Sequence, residues 1–442
     1  MNLSRLLMIA IATFPPASLA ANFYVRAGAT GLNNGSDWQN AWPQLPANLG
    51  RGNTYYVADG SYGSYTFDDT HSGSATITIK KATAADHGTD IGWNSAFGDG
   101  QATFSGGLTF TRGYYVLDGV TKTTPTSGHG FKIIETAGKG IRFGTASGDT
   151  PDNITVRYME IQGQLDTGVS NDGLYTVFGA DDIVLQHLHV HHLGRVFILT
   201  RSSNRWTLEN SYFRYNSSDP VQHGECWSDG QSNDFVIRFN VFEDFEGTGC
   251  IVVLNGAGNP RRWKIYGNVF FASNSNPENR TNFVPNATIA CITGEAAIDW
   301  EIYNNTNYNL RGFCAGYNLA YDTPGALPPS GNIMRNNIWV NSETASCHGG
   351  FAVNSHNYYS GTPFNPTESN VQSASGVPFA GAAVGNFRLT GATSAGFSLA
   401  APYNLDPDGK TRGGEGVWDR GAFEYGEAAA RLSAPTNLRI VE

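Results

Sequence analysis

Titratable side chains crowd one stretch of this 442-residue chain, between His187 and Glu246. His187, His189, His191 and His192 stand in one run, and Arg195 and Arg201 follow. His223, Glu225 and Asp229 fall in the segment Val221-Gln-His-Gly-Glu-Cys-Trp-Ser-Asp229, and Glu243, Asp244 and Glu246 come next. A base beside a cation suits β-elimination, in which the proton next to a uronate carboxyl is removed and the cation stabilises the enolate. His223 as base with Arg195 or Arg201 as stabiliser would serve. Two carboxylates suit glycoside hydrolysis, and Glu225 with Asp229 or Glu246 would serve there. Trp227, Asn255 and His191 are the side chains expected against a substrate. Clustered carboxylates suit a hard cation, so Glu243, Asp244 and Glu246 are the expected ligands of a calcium ion; no other cofactor is expected. Alternation puts His187, His189 and His191 on one strand face, where three imidazoles could bind a metal or simply face solvent. Any one of these residues could instead satisfy a turn.

What brings them together must be a repeat. A bulky residue, an aliphatic two positions on and a bulky residue five further recur as Ile154/Val156/Ile161, Ile183/Leu185/Val190, Trp206/Leu208/Phe213, Phe235/Ile237/Phe242, Trp263/Ile265/Phe270, Trp300/Ile302/Asn307 and Asn332/Met334/Trp339. The period drifts over roughly 23 to 37 residues, as solenoid repeats do. Spacing of two points both side chains to one face of a strand. Asn240, Asn268, Asn305 and Asn337 precede the last column by two residues, at a corner. Asn tolerates left-handed backbone, and its amide can bond the same amide one coil up, so these four predict an internal asparagine ladder. The connecting stretches 174–178, 196–199, 225–227, 250–254, 288–292 and 312–315 are apolar and predict a further parallel sheet.

Coils of this length, with a period-2 strand, a tight corner and an Asn ladder, resemble the right-handed parallel β-helix of pectate lyase-like exported proteins. The resemblance covers roughly residues 22 to 426 and is one of architecture. It implies an all-β solenoid, capped at its start by residues 21–110 and closed by 380–426, with clefts along a parallel sheet. Residues 427–442 are expected to be a linker-like tail. The family's catalytic motifs do not carry over. Polygalacturonase-like hydrolases show N-T-D, D-D, G-H-G and R-I-K in that order, whereas here Gly128-His129-Gly130 precedes Asp181-Asp182 and the other two are missing. Alginate lyases of this fold use a Lys and an Arg with calcium, and the central coils offer only Lys264. Pectate lyases use an Arg base with calcium on acidic clusters, for which Asp181 and Asp182, or Glu243, Asp244 and Glu246, would serve.

Residues 1–20 carry Arg5, an apolar run from Leu6 to Phe14 and a small-residue end, the pattern of a secretory signal too short to span a bilayer. Secretion to the extracellular space or periplasm is therefore expected, with no later membrane span. Gly at 53 positions and charged residues at only 15% fit a turn-dense β chain. The balance of 28 basic and 38 acidic residues gives −10, which disfavours nucleic acid as a partner. Cys226–Cys250 and Cys291–Cys314 are possible bridges between adjacent coils, leaving Cys347; equally, the cysteines could be small core residues. The expected protein is a monomeric, exported polysaccharide lyase acting on a uronate-containing glycan. A glycoside hydrolase and a non-catalytic glycan-binding adhesin are the alternatives.

Overall fold

The repeated phrase builds strands that stack in register. In the computed structural model, residues 20–426 are described apart from 72, 166–170, 218–223, 248, 254–257, 274–286, 292–295, 311–316, 319–329, 343–349 and 365–366. Leu185 lies beside Leu208, and Ile237, Ile265, Ile302 and Met334 continue the row, one per coil. The last column stacks likewise, from Ile161 through Val190, Phe213, Phe242, Phe270 and Asn307 to Trp339. All of these side chains are fully buried. Stacking like on like also aligns rings. Phe213, Phe242 and Phe270 follow at 5.0 and 5.1 Å between centroids, and Trp263 lies 4.5 Å over Trp300 at an interplanar angle of 4°. Such pairs add to the burial of apolar area that holds the solenoid together.

Three ladders result. The first has 12 strands, from Asn22–Val25 to Val353–Ser355, in parallel order. The other two belong to one 19-stranded sheet that forks at the long strand Ala102–Phe110. Its first half pairs with Phe131–Ile134 and its second with Lys139–Phe143. Gly106 turns the corner between them at φ 97°, a conformation that favours glycine. From there the second ladder runs through Met159–Gln162, His189–Leu193, Tyr212–Asn216, Val241–Glu243, Val269–Phe271, Thr306–Tyr308 and Ile338–Val340. The third runs through Asp172–Tyr175, Ile198–Arg201, Trp227–Gly230, Gly249–Val253 and Ala287–Cys291 to Tyr317–Asn318. The chain is a right-handed parallel β-helix. No helix among the described residues is long and apolar enough to cross a membrane.

The asparagine ladder forms, and its chemistry differs from expectation in one respect. Nδ2 of Asn240, Asn268, Asn305 and Asn337 donates to Oδ1 of the next coil's Asn at 3.1, 3.0, 3.0 and 3.1 Å, and the row ends on Asn357. The left-handed residue, however, is the one before each ladder position: Phe239, Gly267, Asn304, Asn336 and His356, with φ between 52° and 64°. The turn is made first, and the Asn then points inward to satisfy backbone groups that the corner takes out of the sheet. A second corner, between the third and first ladders, is held by charge. Asp182, Arg205, Asp234, Arg262 and Asp299 occupy its left-handed position in successive coils. Arg205 pairs with Asp182, and Arg262 with Asp234.

Cys226 and Cys250, both buried, form a disulfide between neighbouring coils with a Cα separation of 4.5 Å. Cys314 and Cys347 lie outside the described residues, as do residues 1–19 and the tail 427–442. At the other end, Phe379, Ala382, Phe387 and Leu389 of the closing segment pack on Val269, Phe271, Tyr308, Ile338 and Val340.

Candidate active site: a polar groove on the second ladder

The outward side chains of the second ladder change character along the solenoid. One outward row reads Lys132, Glu160, His189 and Tyr212, then Val241, Val269 and Thr306. Its neighbour reads Gln162, His191, Arg214 and Glu243, then Phe271, Tyr308 and Val340. The closing segment covers the apolar half. The charged half stays open as a groove between two loops.

Those loops, residues 82–101 and 119–130, leave the first ladder on their way to the second. The second loop closes tightly on itself, because a Cβ at Gly130 would lie 2.0 Å from the Gly119 carbonyl oxygen. Lys122 at its far side reaches the Asn210 carbonyl at 3.4 Å. Between the loops lies a cleft of about 510 Å³, whose walls include Lys81, Asp99, Gln101, Thr121, His129 and Glu160. A second cleft of about 500 Å³ continues along the sheet past Tyr212, Arg214, Glu243, Phe271 and Tyr308 to residues 382–385. Thr126 lines both, so the tip of this loop stands between the two clefts.

Glu160 is the hub of the first cleft. Lys132 Nζ donates to its Oε1 at 2.6 Å and Gln101 Nε2 to its Oε2 at 3.1 Å, while His191 Nε2 lies 3.1 Å from Oε1. Burial alone would raise its pKa, but the hydrogen bonds from His191, Lys132 and Gln101 outweigh that and hold the carboxyl well below its usual range. Glu160 is thus an ionised acceptor. Lys81 is 1% exposed, ion-paired with Asp59 and donating to the Ala82 carbonyl at 2.6 Å. Burial pushes its ammonium pKa down, and Asp59 offsets only part of that. Burial likewise lowers His129 to about 4 and, with the nearby charges of His191 and Arg214, lowers His189 to about 2. Both rings are therefore neutral near pH 7. Neither nitrogen of His189 has a hydrogen bond among the described residues.

Of the residues singled out in the sequence, Glu243 lines this groove, His191 bonds the Glu160 that does, and most of the others stand away from it. His189 and His191 face outward with rings stacked at 4.1 Å, but His187 sits at the corner with φ 54°, stacked on Tyr158. The three-imidazole face is therefore two imidazoles. Arg195 is held bidentate by buried Asp172 at 2.7 Å for each bond, away from the groove. Arg201 is exposed at the end of its strand in the third ladder. Trp227 is fully buried among Trp206, Phe235 and Trp263, so it cannot stack on a sugar. Asp229, two residues on, also points inward, where Thr200 Oγ1 and the Ser232 amide bind it. Glu225 is 2% exposed and accepts from Ser228 Oγ at 3.0 Å. Glu225 and Asp229 thus do not form a carboxylate pair across an open cleft. Glu243 accepts from Tyr212, whereas Asp244 turns away to Ser273 and Glu246 is buried. Among the described residues these three do not converge as the ligand set expected of a calcium site. Among the described residues only two trios bring ligand atoms within 4.8 Å of one another: Glu160, His189 and His191, and Glu415, Asp419 and Glu424. Asp181 and Asp182 are engaged by Asn204 and Arg205. His223 and Asn255 lie outside the described residues.

Lys81, Lys132 and Glu160 were not anticipated. The signal for two of them was present: once Ile161 and Val190 share a column, the residues before them, Glu160 and His189, must be neighbours, and Lys132 lies one coil back.

No family model matches the chain, and no curated protein does either. Among solved structures it is similar to the pectate lyase Pel9A at 14% identity, covering 93% of this chain and 98% of that one with a TM-score of 0.48. It is also similar to a PL6-family polysaccharide lyase from Pseudopedobacter saltans at 13% identity, covering 80% and 94% with a TM-score of 0.43. Endopolygalacturonase I from Stereum purpureum aligns at 13% identity, covering 81% and 94% with a TM-score of 0.29. Likeness at this level concerns the fold, and the chemistry has to be sought in the groove itself.

Proposed function

We propose that the protein is an exported enzyme that cleaves a uronate-containing polysaccharide by β-elimination, with the groove on the second ladder as its active site. Lys81 is the base. Its amine, stripped of water, loses a proton more readily than an ordinary lysine, and Asp59 beside it steadies the ammonium formed when it takes the proton next to the uronate carboxyl. Thr121 and Thr123 line the same cleft and offer hydroxyl donors to the sugar's carboxylate and hydroxyl oxygens.

One observation carries this reading over hydrolysis. A glycosidase needs a carboxyl that is protonated at working pH. The carboxyls that burial raises, such as Asp152, Asp229 and Glu301, line neither cleft, and Glu160, which does, is held ionised. The Cys226–Cys250 disulfide and the leader-like first 20 residues support export to an oxidising compartment.

Incubation with a panel of acidic and neutral glycans tests the reading. Ultraviolet absorbance from unsaturated ends should appear on a uronate polymer, with kcat/KM rising with pH through a pKa below the ordinary lysine range. Asp59 and Asp99 face that amine, and His129 and Glu160 share its cleft. Lys81→Ala should lower kcat by roughly 10²–10⁴-fold. Lys81→Arg, which keeps the charge but cannot give up its proton, should not restore it. Reducing ends without unsaturation would mean hydrolysis, and binding without cleavage would mean an adhesin.

A further inference from the structure

Glu160 and His189 lie directly opposite each other on neighbouring strands, and His191 stands two residues along on the same face as His189. One ligand atom from each comes within 4.8 Å of the others. Two features of this trio are unusual for a surface that merely holds itself together. His189 is 2% exposed, yet neither of its ring nitrogens has a hydrogen-bond partner among the described residues. A buried polar group left unsatisfied costs free energy, so such a group points to a missing ligand. His189 and His191 also stack ring on ring at 4.1 Å with 20° between planes, which keeps the two imidazoles side by side on the outer face.

We propose that Glu160, His189 and His191 bind one divalent transition-metal ion of borderline softness, the zinc class, beside the first cleft. Two imidazole nitrogens and one carboxylate oxygen are the donors such ions take, and three protein ligands leave a coordination position free. Calcium is a poor fit, because it takes six to eight oxygens. Glu160 itself lines the cleft, so the site adjoins the space where a substrate would lie. The ion would sit where His191 Nε2 and Glu160 Oε1 now approach at 3.1 Å. Lys132, on the same carboxylate, would remain as an outer neighbour that fixes the orientation of Glu160. Lys132 and the Arg214 beside His191 in register place positive charge near the ion, which lowers its affinity. This site does not depend on the groove's being a lyase, since its binding is read directly.

The test uses the full-length protein, stripped with a chelator and titrated separately with zinc, cobalt and calcium salts. One zinc per chain is expected by calorimetry and elemental analysis, with visible d–d bands from cobalt and no saturable binding of calcium. His189→Gln and Glu160→Gln, each checked for an unchanged fold by circular dichroism, should weaken zinc by at least roughly 100-fold. His87→Ala, a histidine of the 82–101 loop outside the trio, should bind like the parent. Failure of the parent to bind zinc at one per chain would overturn the proposal, as would equal binding by a folded His189→Gln. Because metal content is measured without substrate, its loss or persistence is separable from any failure to cleave uronates.

Discussion

At the scale of single residues, the third ladder separates what spacing reveals from what it hides. Asp229, expected in the turn after the strand, lies instead within it, two residues from Trp227 and on the same inner face. Alternation fixes which residues travel together but not which set faces in. The buried carboxyl has a measurable consequence. Desolvation, only partly offset by hydrogen bonds from Ser232 and Thr200, raises its pKa from 3.8 to about 6. The folded state then holds its proton where the unfolded chain has lost it, so Asp229 lends stability at low pH that fades as pH rises through this window. Asp229→Asn should therefore gain on the parent by about 2–3 kcal/mol between pH 4 and pH 7, and thermal unfolding across that range measures it. A constant difference at all pH values would show that the carboxyl does not titrate in the fold.

Among elements, the asparagine ladder holds most of the architecture's specificity. Asn268 receives the Asn240 amide on Oδ1 and donates Nδ2 to the Ile237 carbonyl at 2.8 Å and to Asn305 at 3.0 Å. Asn268→Ala would orphan several of these buried groups at once, and a loss of about 2–4 kcal/mol in resistance to heat or denaturant is expected. Asn→Ala at Asn204, on the outer corner, should cost far less. Strands, columns and ladder were legible because a solenoid repeats its signal once per coil, so weak positions reinforce one another. The groove was not. It is made by two loops outside the regular repeat, and the lysine at its floor, Lys81, comes from a coil before the phrase becomes regular. Crowding of titratable groups in sequence also misled, since Arg195, Glu225 and Asp244 are spent on satisfying one another's surroundings within the stack.

Over the whole molecule, the closing segment decides how much of the second ladder is open. Phe387 packs 4.9 Å from Phe271 and 5.6 Å from Tyr308, at the boundary where the outer face turns from charged to apolar. Phe387→Ala should cost about 3–5 kcal/mol of packing, concentrated in this segment. Limited proteolysis should then cut within residues 379–389 while the stacked coils resist; uniform digestion would show that the segment is not a separable cover. The charged corner carries a different implication. Because aspartate and arginine alternate there from Asp182 to Asp299, an engineered excision of one whole coil would bring two aspartates or two arginines into adjacent rungs. Deleting a pair of coils would restore opposite signs, so shortened versions of this solenoid should follow an even-number rule that the apolar columns do not impose.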